Sequence, residues 1–423
     1  MPPSHDHSHG PDPDASPPTV EQVGRRRRAV WLMLLLLVPI GLATVLGLFL
    51  LWPDGEPTQA EQVAQTYLPP GTTYADARVV SVEPFECGTD PAYPATCASA
   101  VVEVLEGEGK GDFQQIDIPA DVYASGVAKG ETVVLSRDGG AESGGTFQFY
   151  DYERSAPIVV LAILFAVVVG LVARLRGIAS LLGLAFAFVV LLWFVIPGLL
   201  SEHSPVLVSL VGSAAIMFVV LYLAHGFSAR TTTALVGTLF GLGLVAVLGT
   251  VSVSAARLTG LTSEETTTLN GYDPTLNFSG LVLAGIVVAG LGILNDVTIT
   301  QASAIWQLRE VSPDIGWREL YRRGMAVGRD HIASTVYTIV FAYAGAALPL
   351  LLLFELYSMP FWTVLTSSAV AEEVIRTAAG AIALVLAVPV TTAVGAFFAT
   401  VADTEVGAVT DRQLSSVRAR FAR

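Results

Sequence analysis

Eight apolar segments limit the fold of this chain more than any other feature. They are Ala29–Trp52, Pro157–Ala173, Ile178–Leu200, Pro205–Ala224, Thr233–Ala255, Ser279–Ala302, Ile332–Leu356 and Thr377–Ala402. Hydrophobic residues make up 52% of the 423 residues and charged residues only 14%, a composition too apolar for a soluble protein of this length. A helix needs roughly 20 apolar residues to cross a bilayer. The sequence therefore predicts a polytopic α-helical membrane protein with about eight transmembrane helices.

The distribution of basic residues predicts the orientation of these helices. Arg25 to Arg28 precede the first apolar segment, and 16 of the 23 Lys and Arg residues fall on the same predicted side of the membrane as these four. Because basic residues concentrate on the cytoplasmic side, both chain termini are predicted to be cytoplasmic. The first segment is too long for a signal peptide and has no small-residue cleavage site at its end, so residues 29–52 are predicted to be a retained transmembrane helix.

The two terminal tails are predicted to lie in the cytoplasm. Residues 1–28 are rich in Pro, Ser and Asp and include His5, His7 and His9, and residues 403–423 follow the last apolar segment. The histidines suggest either a metal-binding tail or a disordered one. We favour disorder because no folded framework would hold the ligands in place, and we predict no metal site and no cofactor.

The acidic character of the chain belongs to one segment, residues 53–155. This segment has 18 acidic and 5 basic residues, which accounts for −13 of the net charge of −14. Five short strand-like patterns within it are separated by Gly, Asp and Pro, with no long helical pattern. They predict a small extracytoplasmic all-β domain, an OB-like barrel, between the first and second transmembrane helices. Its acidity argues against a nucleic acid partner.

Two cysteines, Cys87 and Cys97, both belong to the acidic segment. They are ten positions apart and would form a disulfide if the domain lies in an oxidising compartment. Two cysteines without a neighbouring histidine make a small set of metal ligands, so a zinc site is disfavoured.

The sixth apolar segment contains the most informative polar residues. Asn295, Asp296, Thr298, Thr300, Gln301 and Ser303 follow its Gly-rich half without a Pro to end the helix. An ionised Asp at mid-bilayer costs about 2.5 to 3.5 kcal/mol on insertion scales, so such a residue is expected to face a bundle interior or a wet cavity. Helical spacing places Asp296, Thr300, Ser303 and Gln307 on one face. We predict that this polar stripe belongs to a solute or ion pathway.

The last two apolar segments complete the hypothetical pathway. Tyr337 lies in the seventh, and Thr391 follows Pro389 in the eighth, where a freed carbonyl beside a hydroxyl suggests an ion site and helix packing is the alternative. Glu372, Glu373 and Arg376 are spaced to form a local ion pair at the outer end of the eighth helix, with a polar entrance as the alternative. Within the predicted membrane domain, 156–402, the arginine-rich segment 309–331 is predicted to be an amphipathic helix on the cytoplasmic membrane face.

Three stretches resemble a known family. GILNDVTITQASAIWQL from Gly292, GRDHIASTVYTIVFAYAG from Gly328 and AEEVIRTAAGAIALVLAVPVTT from Ala371, after the β segment with GETVVL, are similar to the YibE/F-like family of bacterial multi-spanning membrane proteins. The resemblance extends over nearly all of residues 78–402. It implies a multi-pass protein of the bacterial plasma membrane, and it implies neither an activity nor site residues.

Three classes of function are compatible with this organisation. The first is a secondary transporter or permease for a small solute or ion, with Asp296 in the translocation or coupling site. The second is an envelope sensor or an assembly protein that binds a ligand or partner through the outer β domain. The third, an intramembrane hydrolase, is disfavoured because Asp296 has no predicted carboxylate partner and no zinc-ligand or Ser/His pattern is present in the sequence. The lipid bilayer is the one partner predicted directly, and the sequence does not define an oligomeric state.

Overall fold

The computed structural model describes residues 20–67, 71–88, 95–139, 145–201 and 203–401. The histidines at positions 5, 7 and 9 and the C-terminal tail from residue 403 lie outside these ranges. Two compact units are present: one consists of residues 55–178 together with 268–274, and the other contains the rest.

The first unit contains a small curled antiparallel sheet. The first described element, α1 (Val20–Leu50), belongs to the other unit. The elements that follow it in the first unit are α2 (Gln59–Tyr67), β1 (Thr73–Glu86), β2 (Thr96–Val104), β3 (Phe113–Ile118), α3 (Ala120–Ala124), β4 (Thr132–Arg137) and β5 (Phe147–Tyr152). The strand order is β3-β2-β1-β4-β5, and every neighbouring pair is antiparallel. Alternate apolar residues of β1, β2 and β4 point into one core, as the period-two pattern predicts. The two short helices are an addition to the predicted all-β segment.

A disulfide joins the ends of β1 and β2. Cys87 and Cys97 are bonded, with their Cα atoms 5.6 Å apart. Cys97 is paired with Phe85 in the ladder, and Cys87 follows Glu86, the last paired residue of β1, so the bond joins the two strands at this end of the ladder. The bonded cysteines are therefore part of the structure of this sheet.

Helices form the rest of the described chain. They are α4 (Ser155–Val190), a π-helical turn (Leu191–Val195), α5 (Ile196–Leu200), α6 (Pro205–His225), α7 (Ala229–Ala255), α8 (Glu264–Tyr272), α9 (Phe278–Val311), α10 (Trp317–Ala346), α11 (Leu348–Leu356), α12 (Phe361–Leu365) and α13 (Ser368–Val401). By length and composition, six of the helices in the described ranges are able to cross a membrane. A seventh span results if α10 and α11, which are bent by 60°, are counted together.

The predicted second and third segments are joined in one long apolar stretch. It extends over 46 residues, Ser155–Leu200, and would measure about 69 Å as one straight helix, more than twice the hydrocarbon thickness. Its helical dihedrals are interrupted at Arg174, where φ is 53° and ψ is −132°. A non-glycine residue rarely adopts positive φ, so this is a true break in the helix. The break falls in the short gap between the two predicted segments.

Residues 309–331 differ from the prediction. They do not form a separate amphipathic helix, because α9 continues to Val311 and α10 begins at Trp317 and runs on without a break to Ala346. The arginines of this region are carried by the ends of two long helices. Glu319 forms ion pairs with Arg322 and Arg323 along the first turns of α10.

The centre of the helical unit is formed by α7, α9 and α13, with α6 and α10 packed around them. Small residues permit this packing: a Cβ added to Gly241 of α7 would lie 2.5 Å from Leu294 Cδ2 of α9. Arg376 lies near Gly285 and Thr392 contacts Gln301, so α9 and α13 run parallel and in register. This register determines which polar residues meet.

Candidate functional site

A buried amide connects three helices of the bundle. Gln301 of α9 is 2% exposed, and its Nε2 donates to the Gly324 carbonyl of α10 at 2.9 Å and to Thr392 Oγ1 of α13 at 2.7 Å. Gly328 of α10 leaves room for the amide, since a Cβ there would lie 3.1 Å from Gln301 Oε1. We call Gln301 and Thr392, together with Thr238, Thr298 and Thr391, the buried polar layer.

Three threonines extend this layer to α7. The hydroxyls of Thr238 and Thr298 are hydrogen bonded at 2.6 Å, and Thr391 packs against Gly237. All three threonines are completely buried. Thr238 and Thr391 also donate to carbonyls one turn earlier in their own helices, and α13 continues as a helix through Pro389. The hydroxyls are thus satisfied within the protein, which fits the packing alternative for Thr391 better than an ion site.

A second polar group lies on the exposed face of α9 and α10. Thr300 Oγ1 donates to the Asp296 carbonyl at 2.7 Å and lies 3.2 Å from His331 Nε2 of α10. Because the hydroxyl proton points to that carbonyl, Nε2 is the natural donor to Oγ1. Asp296 and Thr300 are exposed and His331 is half-buried. We call Asp296, Thr300 and His331 the α9/α10 polar cluster.

The polar stripe predicted on α9 is present, but it lies on an exposed face. Asp296, Thr300 and Gln307 are exposed and Ser303 is half-buried, whereas the expectation for Asp296 was a bundle interior or a wet cavity. The bundle interior is instead occupied by Thr298 and Gln301, on the opposite side of α9. Asn295 lies between the two faces, and its buried Oδ1 has no hydrogen-bond partner among the described residues.

An ion cluster lies at the other end of the bundle. Arg376 Nη2 lies 2.8 Å from Glu372 Oε1, and Arg376 Nη1 lies 3.3 Å from Glu373 Oε1, as the i,i+4 and i,i+3 spacings predict. Thr262, which follows α7, donates to Glu372 Oε2 at 2.9 Å. We call these residues the ion cluster.

The ion cluster and the buried polar layer belong to the same helices. Arg376 and Thr392 are 16 residues apart on α13, a rise of about 24 Å. Tyr343 of α10 interacts electrostatically with Arg376 and Glu373, while Gly324 and Gly328 of the same helix contact Gln301. One set of three helices, α9, α10 and α13, therefore carries polar groups near both ends.

The structure separates the predicted pathway residues into distinct places. Thr298, Gln301 and Thr391 meet in the buried polar layer, Asp296 and Thr300 meet on the exposed face, Glu372, Glu373 and Arg376 form the ion cluster, and Asn295, Ser303 and Tyr337 join none of these groups. Tyr337 is 64% exposed. Sequence reasoning missed Thr238, Thr262, Gly324 and His331 as partners, whereas Thr392 was considered together with Thr391 in the stretch after Pro389.

The residues described offer no evident metal centre. No group of three or more His, Cys, Asp or Glu side chains able to hold a metal ion is found within the described ranges. Both described cysteines, Cys87 and Cys97, are bonded to each other in the disulfide. The polar groups described above consist of carboxylates, hydroxyls, the Gln301 amide, the Arg376 guanidinium and the His331 imidazole.

Comparison with known proteins identifies the family. The sequence pattern that defines the YibE/F-like proteins matches residues 161–401, which is more than half of the chain. The match begins after β5, so it is narrower than the resemblance expected from residue 78, and the sheet lies outside it. No curated protein and no solved structure shows a significant match. The matched region contains both polar ends of the α9, α10 and α13 bundle, and the chain belongs to the YibE/F-like family.

Proposed function

We propose that this protein is a secondary transporter or permease for a small solute or ion, with Asp296 in the translocation or coupling site. The observation that carries the proposal is the α9/α10 polar cluster. A carboxylate, a hydroxyl and an imidazole are contributed by two apolar helices, and Thr300 and His331 are in direct contact at 3.2 Å. Such groups are costly inside a bilayer and mark solute or proton pathways in membrane proteins.

The polar cluster lies at the contact between α9 and α10. Thr300 and His331 form a direct side-chain contact between α9 and α10 on the exposed face, while Gln301 ties the same helices together from the buried side. Protonation of His331 at Nδ1 would leave the Nε2 donor to Thr300 in place and add a positive charge next to the turn of α9 that carries Asp296. A coupling proton at this position would therefore change the charge at the contact between the two helices.

We propose a membrane topology of eight spans with both termini in the cytoplasm of a bacterial cell. Seven spans follow from the helix lengths when α10 and α11 count as one, and the break at Arg174 would divide Ser155–Leu200 into two. The excess of Lys and Arg on one side supports this orientation. The α9/α10 polar cluster is then in the cytoplasmic half of the membrane and the ion cluster is at the outer side.

We propose that the extracytoplasmic sheet is an OB-like barrel. In its strand order, β3-β2-β1-β4-β5, the two edge strands β3 and β5 also contact each other, as partial closure of a barrel requires. The alternative function, an envelope sensor or assembly protein, would use this domain. The observation in its favour is the exposed ring pair Tyr74 and Tyr150, whose centroids are 4.8 Å apart and whose side chains are 50% and 59% exposed.

The experiment that tests transport uses purified protein in proteoliposomes with a trapped pH-sensitive dye. An imposed proton gradient is challenged separately with Na⁺, K⁺, Mg²⁺ and Mn²⁺, and proton movement is followed. We expect one of these cations to collapse the gradient in the wild type and Asp296→Asn to slow the collapse at least about tenfold, as expected for loss of a charged binding group. Glu310→Gln is the matched control, because it neutralises an exposed carboxylate of α9 outside the cluster.

Two outcomes would contradict the assignment of Asp296. Equal rates for Asp296→Asn and the wild type would show that the carboxylate is not part of the pathway. If the wild type moves no protons with any of the cations, proton-coupled cation transport is ruled out. A variant lacking residues 55–154 separates the two functions. Flux that persists in this variant supports transport by the helices. The sensor function is supported if the wild type shows no flux and deletion of the sheet abolishes the cellular phenotype of the protein.

A further inference from the structure

A cleft in the helical unit is lined by a glutamate with one carboxylate oxygen that lacks a hydrogen-bond partner among the described residues. It has a volume of about 400 Å³ and lies between the bent junction of α10 with α11 and the first turns of α13. Nine of its twelve lining residues are Val, Leu or Ala; the other three are Tyr343, Glu373 and Thr377. Glu373 Oε2 is buried and has no hydrogen-bond partner among the described residues. A buried carboxylate oxygen without a partner, on a residue that lines an apolar cleft, requires an explanation.

Within the ion cluster, the negative charge of Glu373 is only partly neutralised, and one of its carboxylate oxygens is left without a hydrogen-bond partner among the described residues. Glu372 has a partner for both of its oxygens, Arg376 for one and Thr262 for the other. Arg376 carries a single positive charge and is shared by two carboxylates, with the closer contact to Glu372 at 2.8 Å against 3.3 Å to Glu373. The three side chains therefore carry a net charge of −1, and the open acceptor is on the residue that lines the cleft.

We infer that this cleft binds a membrane phospholipid whose headgroup carries a primary ammonium group. The ammonium would donate to Glu373 Oε2 and neutralise the surplus charge, while the attached apolar chain would lie along Val340, Leu351 and Val374. These three lining residues are 44%, 40% and 45% exposed, so the cleft opens on the apolar surface of a helical unit that crosses the membrane. A lipid diffusing in the bilayer has direct access to such an opening.

The chemistry of the site distinguishes among lipids. A primary ammonium has three N–H donors, a quaternary ammonium has a positive charge and no N–H donor, and a glycerol headgroup has hydroxyl donors and no positive charge. The site needs a ligand with both an N–H donor and a positive charge, because Glu373 Oε2 is an acceptor in a cluster with surplus negative charge. Phosphatidylethanolamine should therefore bind more tightly than phosphatidylcholine or phosphatidylglycerol.

The test is native mass spectrometry of the full chain in detergent, titrated with each of these three lipids. We expect one phosphatidylethanolamine to be retained with at least about tenfold higher affinity than the others, and Glu373→Gln to abolish that preference, since a charge-assisted hydrogen bond is lost. Glu355→Gln is the matched control: Glu355 is an exposed carboxylate of α11 that does not line the cleft. Ala344→Phe, which fills the cleft and keeps the carboxylate, should also lower retention. Variants are compared only where their elution volume and melting temperature match those of the wild type.

Three results would overturn the inference. The first is equal retention of the three lipids by the wild type, and the second is an unchanged preference in Glu373→Gln. The third is retention of octylamine without retention of phosphatidylethanolamine, which would assign the cleft to a free hydrophobic amine instead of a lipid. Because lipid retention is measured without any flux, the result is independent of whether Asp296 takes part in transport.

Discussion

Gln301 of α9 and Thr392 of α13 are hydrogen bonded at 2.7 Å across 91 residues of sequence. The same Gln301 nitrogen donates to the Gly324 carbonyl of α10 at 2.9 Å, so one side chain holds three helices at the level of the α9/α10 polar cluster. Apolar packing within a bilayer has little directional preference, and interhelical hydrogen bonds of this kind fix which residues face each other. The buried amide thus helps to fix which face of α9 packs into the bundle, and this packing leaves Asp296 on the exposed face.

Removing this hydrogen bond should destabilise the bundle by a measurable amount. We expect Gln301→Leu and Thr392→Val each to lower the free energy of unfolding by about 1 kcal/mol, and the double variant to lower it by less than the sum, with a coupling of about 0.5 to 1 kcal/mol. Equilibrium unfolding in mixed detergent–SDS micelles measures all three. Gln307→Leu, the same change at an exposed position of α9, should be close to neutral. Strict additivity of the two single changes would show that the bond contributes nothing.

The close approach of α7 to α13 depends on a glycine. A Cβ at Gly237 would collide with Thr391 Oγ1, whereas a Cβ at Gly243, two turns later in α7, would have no atom within 4 Å. We therefore expect Gly237→Ala to lower the melting temperature and Gly243→Ala to be neutral or to stabilise by up to about 1 kcal/mol through helix propensity. Adding Thr391→Ala to Gly237→Ala should restore part of the loss. Equal effects of the two alanine substitutions would contradict the contact.

The sequence was sufficient to predict features that depend on local spacing. The apolar segments are long enough to be recognised one at a time, and the pairing of Arg376 with Glu372 and Glu373 depends only on the repeat of one helix. The bond between Cys87 and Cys97 required only that the two residues be close in the chain.

The candidate site was less predictable because it depends on which face of a helix is covered. Thr298 and Thr300 have the same side chain and are two residues apart, yet Thr298 is completely buried and Thr300 is exposed. No hydropathy value distinguishes them; the difference arises because Thr298 faces Thr238 of α7. His331 was missed as a partner of Thr300 because that contact requires the antiparallel register of α9 and α10.

The continuity of α10 also depends on tertiary contacts. The change from arginine-rich to apolar sequence near residue 331 suggested a boundary between a surface helix and a membrane helix. The structure has no boundary there: α10 runs without a break from Trp317 to Ala346, and Gly324 and Gly328, before residue 331, already lie close to Ile305, Val388 and Gln301. Charge along one face of a long helix was mistaken for an end of that helix.

In the sheet unit, the pKa of the Asp76 carboxyl is raised above its ordinary value of 3.8. The cause is first partial burial on β1 and then repulsion from Glu106 and Glu153. A carboxyl with a raised pKa in the folded state binds its proton more tightly there than in the unfolded state. As the pH rises from 3.8 through the raised pKa, deprotonation of Asp76 therefore lowers the free energy of unfolding. At neutral pH the whole of this decrease is present.

Asp76→Asn should accordingly stabilise the sheet at pH 7 and have little effect at about pH 3, where the wild-type carboxyl is protonated in both states. The reason is that the amide removes the repulsion from Glu106 and Glu153 and has no charge to desolvate. Hydrogen exchange of the amides in β1 and β4 of the full chain, corrected for the intrinsic dependence on pH, measures the change as increased protection at pH 7. Asp117→Asn on β3 is the control, because Asp117 is exposed and is paired with Ser99 in the backbone ladder. If both variants gained the same protection, the effect would reflect the reduced net charge of the acidic domain and not the environment of Asp76.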